Sequence, residues 1–186
     1  MFSKKILSTV IAAGIATLAA TGAQAATGGT VNFTGTIIND TCSFDVNNSG
    51  TNTGTVNMPF SYTNSYSGPD VAGATEDFTI AVSNCDTNIA QIALNFTGTT
   101  DSRGATDKVL QTTGTATNVG IRLYDLTGGK TEATGEVKFG GMDNYWANNG
   151  ATPTTFSYRA KTVQVGDDAP TAGVYNATAT FSIAYQ

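Results

Sequence analysis

The chain has 186 residues, 21 of them Gly, two Cys and no His, with a formal net charge of −5. An acidic chain whose few Lys and Arg are scattered gives nucleic acid or an anionic membrane surface nothing to bind. Without His it lacks the commonest general base and metal ligand, and no phosphate-binding Gly loop or metal-ligand spacing takes its place. No enzyme, cofactor or metal is expected.

Lys4 and Lys5 precede an apolar stretch from Ile6 to Ala20, and Ala23-Gln24-Ala25 offers the small residues a signal peptidase reads. Residues 1–25 are therefore expected to be a Sec-type signal peptide, cleaved after Ala25. The apolar run is short for a spanning helix and is diluted by Ser8, Thr9, Gly14 and Thr17. No later stretch is apolar enough to span, so no membrane anchoring is expected.

The rest reads as one domain of short strands, with alternation of period two broken by Gly, Asn, Ser and Thr turns. After the lead 26–29, Val31, Phe33, Gly35 and Ile37 share one face and Asn32, Thr34, Thr36 and Ile38 the other. A shorter run covers Thr55 to Tyr62, behind the loop Asn47-Asn48-Ser49-Gly50. Phe78, Ile80 and Val82 alternate before Cys85, and Ile92, Leu94 and Phe96 after it. The stretch from Ile89 also admits a helical turn. Val119, Ile121 and Leu123 precede the turn Gly128-Gly129, and Phe156, Tyr158 and Ala160 form the next strand. Ala177, Ala179, Phe181, Ile183 and Tyr185 then face one way and Thr178, Thr180 and Ser182 the other. Loops are expected at 63–75, 97–107 and 141–153. About seven or eight short strands in one domain suggest a β-sandwich.

Cys42 and Cys85 are the two cysteines, and in an exported chain they most simply form one disulfide. The acid pairs Glu76-Asp77 and Asp167-Asp168 are expected in turn-like, solvated positions, since neighbours on a strand point to opposite faces. Tyr145-Trp146, with Asn144, Asn148 and Asn149, could stack on a sugar; a loop anchor over the end of the sandwich is the favoured reading.

Two features are unusual. The strand from Ala177 to Tyr185 has no charged residue and only Gln186 after it, which leaves either an exposed edge or a strand shielded by another segment. The strand-like stretch from Val31 to Ile37 is either the first strand of its own domain or a spare one. A spare strand given to a neighbour's open edge produces a head-to-tail contact that does not close on itself.

With these residues the sequence resembles the fimbrial subunits of the chaperone–usher pathway, most closely the major shaft subunits of type 1 fimbriae. The resemblance rests on Gly28-Gly29-Thr30-Val31-Asn32-Phe33-Thr34-Gly35 ahead of Cys42, on Val82-Ser83-Asn84-Cys85-Asp86-Thr87, and on Ala116-Thr117-Asn118-Val119-Gly120. It is completed by Gly173, fourteenth from the C-terminus, and the penultimate Tyr185.

The resemblance implies an incomplete immunoglobulin-like β-sandwich that lacks its last strand and is completed by a donor strand from a neighbouring subunit, a form of β-augmentation. Residues 26–39 would be the donor extension, carrying Val31, Phe33, Gly35 and Ile37, and residues 40–186 the pilin domain. Ala179, Phe181, Ile183 and Tyr185 would line the acceptor groove and bind a periplasmic chaperone, with Gly173 permitting the geometry that begins this strand. The family's disulfide falls on Cys42 and Cys85. The implied partners are other fimbrial subunits, the chaperone and an outer-membrane usher, along a route through the periplasm to a surface fimbrium. A host glycan or protein receptor is not indicated. A minor adaptor or an adhesin-type subunit is the alternative; tip adhesins carry an additional lectin domain, for which this chain has no room.

Overall fold

The computed structural model describes residues 30–35, 37, 42–105 and 107–186. The expected signal peptide, the lead 26–29, Thr36, Ile38 and Asn39 lie outside the described residues. Two compact units divide the chain, Met1–Thr36 and Ile37–Gln186. In the first, residues 30–35 carry no strand, and Val31 and Phe33 are exposed.

Among its described residues the second unit has ten strands: β1 (Ser43–Val46), β2 (Ala72–Ser83), β3 (Gln91–Thr97), β4 (Val109–Gln111), β5 (Thr113–Gly114), β6 (Val119–Asp125), β7 (Trp146–Ala147), β8 (Thr154–Gln164), β9 (Tyr175–Asn176) and β10 (Thr180–Tyr185). Five of them form one antiparallel sheet in the order β1-β2-β8-β6-β4. A second sheet places β3 between β10 and β7, and β5 pairs with β9 in a two-stranded ribbon.

The period-two pattern explains the longest strands. Phe78, Ile80 and Val82 of β2 and Phe156, Tyr158 and Ala160 of β8 are buried, while their alternating neighbours are not. Ile92, Leu94 and Phe96 of β3 meet them from the second sheet. Tyr158 stacks on Phe78 at 5.5 Å between ring centroids and takes the edge-on contact of Phe96 at 5.0 Å. Each such side chain contributes about 1.5–3 kcal/mol by leaving water. Tyr158 thus closes the core between the two sheets.

Four local expectations change. The loop expected over 63–75 ends early, because β2 starts at Ala72, with a register shift between Ala72 and Thr75. Glu76 and Asp77 therefore sit in mid-strand and not in a turn; Asp77 is solvated, as expected, but bound by Arg159 at 2.6 and 2.8 Å. The turn near Ile89 is a single bond from Ile89 N–H to Asp86 O (3.1 Å), and it ends before β3 begins. The strand expected from Ala177 starts only at Thr180. Its predecessor β9 belongs to the ribbon with β5, so the chain changes sheets between Asn176 and Thr180.

Candidate functional site

β10 is an edge strand, paired with β3 in the register Phe181↔Phe96, Ile183↔Leu94 and Tyr185↔Ile92. Just past it, Gln186 and Gln91 exchange both main-chain bonds at 2.9 Å. In an antiparallel ladder such pairs alternate with pairs that make no bond. Counting back from Gln186, the N–H and C=O groups of Phe181 and Ile183 turn away from β3, toward the side where β10 has no partner strand among the described residues. Their side chains, with those of Ala179 and Tyr185, pack half-buried against the core. The same residues therefore present apolar surface and main-chain hydrogen-bonding groups along one edge.

The larger sheet ends on the same side. β1 is its edge strand, and Phe44 of β1 meets Phe181 of β10 at 5.5 Å between centroids, with the rings inclined by 62°. The disulfide between Cys42 and Cys85 fastens the start of β1 beside the end of β2, with the two Cα atoms 4.1 Å apart. Following β1, Val46 N–H bonds to Thr51 O at 2.9 Å and the chain doubles back. Residues 55–60 then run with Val56 and Met58 half-buried on the core but with no ladder partner. Sequence periodicity marked this run as a strand. Val56 and Met58 follow the alternation, but Phe60 and Tyr62, in the same phase, are exposed, and the run has no ladder partner among the described residues.

Gly173 lies two residues before β9, the strand that pairs with β5. A Cβ there would stand 2.5 Å from Ala116 N and 2.6 Å from Thr115 Oγ1, so close backbone approach is what the position requires. Gly35 is exposed within the 30–35 stretch. Ile37, the first residue of the second unit, is exposed too.

The aromatic loop is internally engaged. Trp146 pairs with Ile92, packs on the core and lies under Lys130, whose Nζ is 5.7 Å from the ring centroid. Asn148 donates to Asp86 O (3.1 Å) and Ile89 O (2.9 Å). Both side chains thus anchor the loop, which favours that reading over sugar stacking. Among the described residues, no group of three His, Cys, Asp or Glu could hold a metal, and no helix is long and apolar enough to cross a membrane.

A sequence profile of the fimbrial proteins matches residues 31–186. The chain belongs to the fimbrial protein family. It is similar to the type-1 fimbrial protein A chain of Escherichia coli K12, with 34% identity over 185 residues, 97% of this chain and 95% of that one. Its fold is similar to that of a subunit in a chaperone–usher pilus, with a TM-score of 0.60 at 21% identity over 86% of this chain and 96% of the other. It is also similar to an antigen and type I fimbria protein of Burkholderia pseudomallei, with a TM-score of 0.55 at 24% identity over 78% of this chain and 99% of the other. The fimbrial domain is thus an incomplete immunoglobulin-like sandwich, and its relatives place it in a surface fimbrium.

Proposed function

We propose that this fimbrial protein is a non-enzymatic structural subunit that polymerises head to tail, each subunit placing its residues 26–39 along the β10 edge of the next. The observation that carries the reading is the Phe44–Phe181 contact between two edge strands, beside an unpaired 55–60 run. An added strand there would satisfy the outward main-chain groups of Phe181 and Ile183, at roughly 1 kcal/mol per bond. The exposures of Val31 (73%), Phe33 (92%) and Ile37 (101%) leave their apolar surface available for burial. Burying them would contribute about 1.5–3 kcal/mol each. Gly35, between the larger residues, suits a narrow stretch of the acceptor.

Before assembly the same edge needs a temporary occupant, because an unpaired apolar edge invites aggregation. A periplasmic chaperone would supply it, and an outer-membrane usher would be the place where the incoming subunit's strand replaces the chaperone's. No ATP is needed if the final strand buries more apolar surface than the first.

Deleting residues 26–38 tests the assignment, since it leaves the β10 edge intact. The deleted subunit should reach the periplasm and bind its chaperone, yet accept no further subunit growth through its own arm. Fibres of normal length built from this variant alone would falsify the donor assignment.

A further inference from the structure

The chain folds a lysine between two aspartates in the interior. Asp125 ends β6, Lys130 follows the 3-10 turn Thr127–Gly129, and Asp143 lies in the loop ahead of β7. The Asp125 side chain is 1% exposed, and those of Lys130 and Asp143 are 15% exposed. Lys130 Nζ touches Asp125 Oδ2 and stands 3.2 Å from Asp143 Oδ1. The second oxygen of Asp125 accepts the Thr127 N–H at 2.8 Å. Asp143 accepts the Asn144 N–H at 2.8 Å and the Tyr158 hydroxyl at 3.4 Å. The Trp146 ring walls the site: a Cβ on Gly128, at φ 65°, would stand 2.0 Å from it.

We propose that Lys130 and Asp125 become joined by an intramolecular isopeptide bond, with Asp143 carrying the protons. The required groups are all in place: an amine nucleophile against a carboxyl carbon, a main-chain N–H on the oxygen where negative charge develops, and an acid within reach of the nitrogen. The Trp146 ring covers one side of the lysine, and Asp125, the carboxyl under attack, is 1% exposed, which limits the water that would solvate it. Burial, and then the Asp125 charge, push the Asp143 carboxyl above its ordinary range, which suits a group that must hold a proton beside an amine.

The step balances without an oxidant or an activated co-reactant. A proton passes from Nζ to Asp143, and the freed lone pair forms the Nζ–Cγ bond. The oxygen that stays, Oδ1, is held by the Thr127 N–H. That first proton and a second, released by Nζ once the bond has formed, pass through Asp143 to Oδ2; the Cγ–Oδ2 bond breaks, one water leaves, and the amide nitrogen keeps the third proton. Asp143 ends as it began. The reaction requires the fold, because Asp143 reaches the other two only through the loop that Trp146 anchors. It does not depend on how subunits assemble.

The test is the mass of the exported, folded protein compared with its Lys130→Arg variant, which keeps the cation but cannot form the amide. The wild type should be lighter than the variant by the substitution's own difference plus one water. Complete trypsin digestion should leave Lys130–Thr131 uncut and give Leu123–Lys138 as one peptide short of a water. Asp143→Asn, with its fold checked by circular dichroism, should retain the full mass. A wild-type chain of full mass that is cut after Lys130 overturns the proposal; a dehydrated Asp143→Asn chain overturns the role of Asp143.

Discussion

Phe44 and Phe181 touch across the open side of the sandwich, one from the edge of each sheet, with their ring centroids 5.5 Å apart. Neither ring is fully buried. Two half-covered aromatic rings at facing edges form a surface that a further strand can cover, and the disulfide at Cys42 keeps the first of them in place.

Phe181→Ala separates the two duties of this ring. In the free subunit the loss should be modest, on the order of 1 kcal/mol, because water already reaches the ring. With a strand bound over the edge the same change should cost about 2–3 kcal/mol, as the truncation then leaves a buried gap. Denaturant unfolding of the free and strand-filled forms measures both.

Replacing both Cys42 and Cys85 with Ala should lower stability by about 4 kcal/mol, the loop-closure value for their separation of 43 residues. The edge strand β1 would lose its tether as well. Chemical denaturation of the double variant gives the number, and hydrogen exchange at β1 should rise more than at β8.

Gly173→Ala places a methyl group 2.5 Å from the Ala116 nitrogen, where backbone rather than a flexible side chain must yield. A loss of about 1–3 kcal/mol is expected. Thermal unfolding should show it without added peptide, since the clash lies in the ribbon region and not along β10.

Acid should weaken the domain. Arg159 holds the Asp77 carboxyl below its ordinary range, Arg103 does so for Asp101, and Lys161 and then Arg159 for Glu132. Folded values below the unfolded ones stabilise the protein above about pH 4, and that contribution is lost as pH falls through the folded values. Asp143 has the opposite sign. Raised by burial, it favours the fold below its unfolded value near 3.9, and this is lost as pH rises through its folded value. Unfolding midpoints measured from pH 3 to 7 should therefore fall on the acid side, and salt should reduce the share due to the exposed Asp77 more than that due to Asp101.

The long strands were legible because burial on one face requires an apolar residue at every second position, as in Phe78-Ile80-Val82 and Ile92-Leu94-Phe96. β1 was not, since its four residues hold a single alternating pair, Phe44 and Val46, which is too short a period to read. In the Thr55–Tyr62 run the alternation holds at Val56 and Met58 and fails at the exposed Phe60 and Tyr62, because periodicity is blind to pairing, which depends on what lies alongside. The break before Thr180 was hidden for the same reason: Ala177 and Ala179 fit the alternation, while the change of sheet is set by β5. Asp125, Lys130 and Asp143 carried no joint signal, because each alone looks like an ordinary loop charge and only the folding of the 141–145 loop onto β6 brings them together. The disulfide was legible from count and compartment alone.

Polymerisation as proposed requires the β10 edge to take up a strand with the sequence of the chain's own N-terminal segment. A synthetic peptide copying Thr30–Asn39, added to chaperone-free subunit lacking residues 26–38, tests it in one thermal-unfolding titration. A net gain of about 3 kcal/mol from the bound strand would raise the midpoint by roughly 6–12 °C for a domain of this size, saturating with peptide and vanishing when Phe33 of the peptide is replaced by Asp. A subunit that is already fully stable and whose midpoint does not move with peptide would rule out strand uptake at β10.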